Sequence, residues 1–192
     1  MKTTYRSLIA CTVLVMAAIM PSCKNKNKVA MPAPGEELVQ VYCSGESFFS
    51  DKKFFRANAV GESLDQAISK KKAMSNARAD LASAVQTTIK ATIDNYMNSR
   101  EFNNKEEVEE RFEGLTREVI NQQLRGTKTI CEKITKTTEG TYKTYIALEL
   151  SGDKMASALQ ENLSKDERLK IDYDYEKFKK TFEEEMNKLE NK

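Results

Sequence analysis

Residues 61–98 read GESLDQAISKKKAMSNARADLASAVQTTIKATIDNYMN. Leu64, Ile68, Met74, Leu81, Val85, Ile89, Ile93 and Tyr96 recur at helical spacing on one broad face. Ala67, Ala73, Ala77, Ala84 and Ala91 are small enough to let the helix approach a sheet closely. Ser63 and Gln66 have the spacing of a capping box, and Asp65 suits the positive end of the helix dipole. Gly61-Glu62-Ser63 is therefore expected to stop a strand and begin a long helix that reaches about Asn98 and organises the domain.

Working outward, the residues before this helix read as two strands. Leu38 to Cys43 places Val39, Val41 and Cys43 on one side, and Phe54 to Val60 places Phe55, Ala57 and Ala59 on another. The loop Gly45 to Lys53 holds Phe48-Phe49 and leads to Phe54-Phe55, the most aromatic patch in the chain. Such a patch either covers one end of a core or forms a partner site. After a polar break at Asn98 to Asn104, Asn104 and Glu107 cap a second helix carrying Val108, Phe112, Leu115, Val119 and Leu124, ended by Arg125-Gly126. Thr127 to Thr135 and Thr141 to Leu150 form a hairpin, with Ile146, Leu148 and Leu150 on one apolar face. Ser151-Gly152-Asp153 starts a helix with Met155, Leu159 and Leu163, and a last helix carries Tyr175, Phe178, Phe182, Met186 and Leu189 on one stripe. That stripe packs back on the domain or on a partner helix. The expected class is α+β: a small antiparallel sheet against a long helix, in the order ββααββα, plus a C-terminal amphipathic helix.

The N-terminus has the three parts of a secretory signal. Lys2 and Arg6 precede an apolar run of 13 residues, Leu8 to Met20, broken only by Thr12. A bilayer needs about 20 apolar residues, so this run is too short to span one. It ends at Met20-Pro21-Ser22-Cys23, which resembles the lipobox of Gram-negative lipoproteins, where the cysteine is acylated and becomes the first residue after cleavage. On that resemblance residues 1–22 are a signal peptide and residues 23–36 a lipidated tether. Residues 37–163 are then an α+β domain and 164–192 a charged C-terminal helix. Acylated Cys23 would hold the chain on a membrane, each buried methylene contributing about 0.8 kcal/mol. Lys24 in the second mature position implies, by likeness to other bacterial lipoproteins, the outer membrane. The lack of an acidic cluster after Cys23 favours its periplasmic face.

Charge and composition narrow the classes. The chain has 31 Lys and Arg against 29 Asp and Glu; removing residues 1–22 takes away Lys2 and Arg6 and no acid, leaving 29 against 29. A neutral mature chain argues against nucleic-acid binding. Histidine is absent, which excludes Ser-His-Asp and Cys-His catalysis and His-ligated zinc. With Cys11 in the signal and Cys23 acylated, Cys43 and Cys131 remain in an oxidising compartment. A disulfide would close a long loop and contribute about 4 to 5 kcal/mol in the chain-entropy model. Strand parity points the two side chains to different faces, so a bond and two buried free thiols both stand.

Gly61, then Ala73-Met74-Ser75-Asn76-Ala77-Arg78-Ala79-Asp80-Leu81-Ala82, and later Gly140-Thr141-Tyr142-Lys143-Thr144-Tyr145-Ile146-Ala147-Leu148 before a helix, resemble the LPP-twenty family of envelope lipoproteins. The resemblance spans roughly residues 38–160. It implies a small α+β domain on outer-membrane lipoproteins, some linked to envelope assemblies, and implies no catalysis. The acid pairs Glu106-Glu107 and Glu109-Glu110 and the run Glu183-Glu184-Glu185 are consecutive on helices, so they splay by about 100° and read as solvated faces. No phosphate loop, nucleophile elbow or metal-ligand spacing is present, and no cofactor is expected. The leading reading is a non-catalytic interaction or assembly module with envelope protein partners. The alternatives are a periplasmic small-ligand or lipid carrier and an envelope hydrolase.

Overall fold

The computed structural model describes residues 35, 37, 39–99, 101, 105–166 and 174–190. The chain divides into two compact units, Met1–Val39 and Gln40–Lys192, and every helix and strand described belongs to the second. These are β1 (Phe54–Ser63), α1 (Gln66–Asn98), α2 (Lys105–Gln123), β2 (Lys128–Lys136), β3 (Tyr142–Ser151), α3 (Gly152–Lys165) and α4 (Tyr175–Leu189). The three strands form one antiparallel sheet in the order β1-β3-β2. None of the helices among the described residues is long and apolar enough to cross a membrane.

The α+β class and the long helix on a small sheet are as expected, and α4 is present as the amphipathic C-terminal helix. The strand expected at Leu38 to Cys43 is not formed. Leu38 lies outside the described residues, and Val41 to Ser44 run as coil and turn, with Cys43 in the left-handed region at φ 56°. Alternation alone does not make a strand; a strand also needs a sheet edge to pair with. This segment meets the face of the sheet instead.

The start of α1 also differs from expectation. β1 runs on through Gly61 to Ser63, because Gly61 pairs with Thr144 and Ser63 with Tyr142. The N-cap is Asp65, whose carboxylate accepts from the Ile68 N–H at 2.9 Å, not Ser63. The cap expected at Asn104 falls outside the described residues.

The reason lies where α1 crosses β1. A Cβ at Gly61 would stand 2.3 Å from the Ser69 carbonyl oxygen and 2.4 Å from the Ala73 nitrogen, so only glycine fits. The contacting face of α1 therefore uses Ser69, Ala73 and Ala77, all fully buried, while Leu64 and Ile68, expected in the core, stay exposed. The Ser69 hydroxyl donates to the Gly61 carbonyl at 2.9 Å and lies 2.7 Å from the Thr144 hydroxyl. Ser69 has one proton, so Thr144 donates to Ser69, and no hydroxyl in this knot is stranded.

Farther along, Leu81, Val85 and Ile89 join Phe55, Ile146, Leu148 and Leu150 in the core. The end of α1 overhangs the sheet and is packed by α2 and α4. Tyr96 sits 5.9 Å from Phe112 and 5.5 Å from Phe178, ring centre to ring centre. Its hydroxyl accepts from the Asp174 N–H at 2.8 Å, and Asn95 donates to buried Glu185 at 2.7 Å. The stripe of α4 thus packs on its own domain, with Phe178, Phe182 and Met186 buried.

Gly61→Ala is expected to lower unfolding stability by about 3 kcal/mol or more, because both clashing atoms are backbone and cannot swing aside. Gly114→Ala, at an open position within α2, should instead raise stability by about 0.5 to 1 kcal/mol. Thermal or urea unfolding of the two variants tests the contrast.

Candidate functional site

Strand alternation sends Phe55, Ala57 and Ala59 of β1 towards the helices and Arg56, Asn58 and Val60 to the opposite, outer face. On β3 the outer-facing residues include Tyr145, Ala147 and Glu149, and Cys131 of β2 stands opposite Ala147. A strap, residues 40–53, is fastened across this outer face at three places. Cys43 is joined to Cys131 by a disulfide, with Cα atoms 5.5 Å apart across 88 residues of sequence. The Tyr42 ring meets the Tyr145 ring edge-on at 5.4 Å. The third fastening is Arg56.

Arg56 is largely enclosed and serves three partners. Its Nε donates to Glu149 at 2.9 Å, and its Nη1 donates to Asp51 at 2.7 Å and to the Phe49 carbonyl at 3.0 Å. The guanidinium also lies 5.2 Å from the centre of the Phe54 ring. Ser50 completes the join: its Oγ accepts from the Arg56 N–H at 2.8 Å and donates to the Arg56 carbonyl at 3.1 Å, as a neighbouring strand would. Burial works against the Asp51 charge, but the Lys53 N–H, the Arg56 guanidinium and the Phe54 N–H outweigh it. Its carboxyl is held below the ordinary value of 3.8. Burial likewise disfavours the Arg56 charge, and the hydrogen bonds it donates to Glu149 and Asp51 override it, raising its pKa.

Beside this join a cleft of about 760 Å³ is lined by Phe48, Phe49, Ser50, Asp51, Arg56, Asn58 and the end of α4 at Leu189 and Glu190. The aromatic patch is divided. Phe55 is fully buried near Phe182, Phe54 is half-buried, and Phe49 is 56% exposed at the cleft. A second cleft, about 210 Å³, lies between α1 and α2 among Lys90, Asp94, Glu113, Thr116 and Arg117. Thr116 Oγ1 is buried there without a hydrogen-bond partner among the described residues.

Of the site residues read from sequence, Cys23 lies outside the described residues. Cys43 and Cys131 are brought together. The parity objection fails because Cys43 is not in the sheet, and a register shift between Thr129 and Cys131 sets the latter opposite Ala147. The acid pairs do not converge: Glu106 and Glu107 are exposed on α2, and Glu185 turns inward to Asn95 and Lys188 while Glu183 and Glu184 face solvent. Among the described residues no group of three or more His, Cys, Asp or Glu could hold a metal ion. Sequence reasoning misses Arg56 as a site residue. A single charge inside an aromatic strand, Phe54-Phe55-Arg56, is the available signal. No family model, curated protein or solved structure matches the chain.

Arg56→Gln should cost about 2 kcal/mol at neutral pH, since it leaves Glu149 and Asp51 without their guanidinium donor. Because the Asp51 carboxyl is lowered, its contribution is complete above the ordinary carboxylate value of 3.8 and disappears as pH falls through the lowered one. The gap in unfolding stability between wild type and Arg56→Gln is therefore expected to hold steady from neutral pH down to mild acid. It should then shrink below the ordinary value; paired urea titrations across that range measure it.

Proposed function

We propose that this chain is a lipid-anchored cell-envelope lipoprotein of the LPP-twenty type. Its Gln40–Lys192 unit acts as a non-catalytic protein-interaction or assembly module at the periplasmic face of the outer membrane. The observation that carries the reading is the apolar run Leu8–Met20 ending at Pro21-Ser22-Cys23, a short export signal with a cysteine where acylation would fall. The Cys43–Cys131 bond supports it, since stable disulfides belong to oxidising compartments such as the periplasm.

The ion-paired side chains of the outer face, Arg56, Asp51 and Glu149, hold the strap to the sheet, which is structural work. The close fit of α1 on β1 at Gly61 favours a module working through its surface over a carrier with a cavity beneath the long helix. The cleft at Phe49, Arg56 and Leu189 is the surface best suited to a protein partner: it pairs an exposed ring with polar groups already held in place.

The anchor is tested by mass spectrometry of the N-terminal peptide from native envelopes, which should begin at Cys23 and carry acyl chains. Cys23→Ser should move the protein from the membrane pellet to the soluble fraction. An unmodified N-terminus, or a serine variant that remains equally membrane-bound, overturns the reading.

A further inference from the structure

We propose that the Cys43–Cys131 disulfide is a redox latch: its reduction frees the strap from Gln40 to Ser47 while the rest of the domain stays folded. The two halves of the strap are held very differently. From Phe49 to Phe54 the backbone and side chains of Phe49, Ser50 and Asp51 are bound to Arg56 and Phe54 by a dense set of hydrogen bonds. Among the described residues the hydrogen bonds from Gln40 to Ser47 are local: the Ser44 hydroxyl to the Val41 carbonyl, and the Phe48 and Phe49 N–H groups to the Gly45 and Glu46 carbonyls. Beyond the disulfide, this half meets the sheet through the Tyr42 ring on Tyr145, and Val41 and Tyr42 are 47% and 56% exposed. Cys43 itself holds a left-handed backbone conformation that a non-glycine residue leaves readily when its constraint is removed.

The domain does not depend on this half for its core. The core cluster is built from the sheet and the four helices and contains no residue of the strap. Opening would therefore be local, a small unit released from a stable body.

The chemistry needs an external dithiol. One of its thiolates attacks Sγ of Cys131, the less buried of the two cysteines, and the S–S electron pair leaves with Cys43, which takes up a proton. The second thiol of the donor then attacks the mixed disulfide and expels Cys131 as a thiolate, which is protonated in turn. Two electrons and two protons pass to the protein, and the donor leaves as its own disulfide. The new Cys43 thiol lies 3.6 Å from the Tyr145 carbonyl, but a thiol is a weak donor and cannot replace the covalent bond.

If the chain is anchored at Cys23, as proposed, the latch sets the length of the tether. The closed chain has 20 residues from Cys23 to Cys43, and opening adds the five up to Phe48, which stays half-buried at the cleft. At about 3.3 Å per extended residue the domain gains roughly 17 Å of reach.

The test is limited proteolysis by chymotrypsin, which cuts after Tyr42, on the full chain in detergent with and without dithiothreitol, alkylation confirming that both thiols are free and hydrogen exchange reporting on the rest of the domain. Reduction should speed cleavage after Tyr42 by about 10-fold or more, with amide exchange in β1, β3 and α1 unchanged. A Cys131→Ser variant should match the reduced protein. Unchanged cleavage after Tyr42 following full reduction overturns the latch, and so does loss of amide protection spreading through β1 and β3. Neither result depends on acylation, so a missing lipid at Cys23 would remove the tether role while leaving the latch standing.

Discussion

The close seating of α1 on β1 at Gly61 is the constraint on which the fold depends. A side chain at that position would overlap helix backbone, so the residues facing it are small, Ser69 and Ala73, and Ala77 continues the buried stripe one turn on. Backbone this near to backbone buries polar groups, and Ser69 and Thr144 satisfy one another and the Gly61 carbonyl in the space a methyl group would take. The helix is pinned at its start. At 33 residues it is about 50 Å long, whereas a ten-residue strand spans about 33 Å. The overhang cannot be buried by the sheet, and the aromatic group of Tyr96, Phe112 and Phe178 brings α2 and α4 to cover it.

Much of this was legible in the sequence because it obeys simple periods. The helical recurrence of Leu81, Val85, Ile89, Ile93 and Tyr96 and the alternation of Ile146, Leu148 and Leu150 bury the residues they mark, and the α4 stripe buries Phe178, Phe182 and Met186 with Tyr175 and Leu189 half-buried at its ends. The first turn of α1 departs from its period for a physical reason. Leu64 and Ile68 carry the apolar spacing, but the tight contact excludes large side chains, so it selects Ser69 and Ala73 from a different stripe of the helix. Hydrophobicity marks a core by volume, and here the deciding quantity is the lack of volume.

The outer face of the sheet was less legible, because what covers it has no period. The strap is fastened by one covalent bond, one ring contact and one arginine, each a pairing between residues far apart in the chain. Cys43 and Val41 alternate as a strand would, yet the segment binds through side chains and leaves the sheet edges to others. Sequence showed the two cysteines but not their pairing, which depends on a register shift in β2 that no local pattern announces.

The edge of β1 shows why the strap lies where it does. In the order β1-β3-β2 the first strand has one side unpaired, an open template for another chain. Ser50 occupies the amide and carbonyl of Arg56, Asp51 those of Phe54, Asn76 the carbonyl of Val60 and Lys72 that of Glu62. Between these contacts the open stretch around Asn58 is too short to recruit a strand. Arg56 lies on that same strand, so the contacts that hold the strap also close the edge. An approaching protein meets side chains there, Phe49 and the polar rim of the adjoining cleft, rather than a backbone ladder. Recognition at this end of the domain would then depend on the identity of those side chains, whereas pairing at an open edge would accept almost any extended chain.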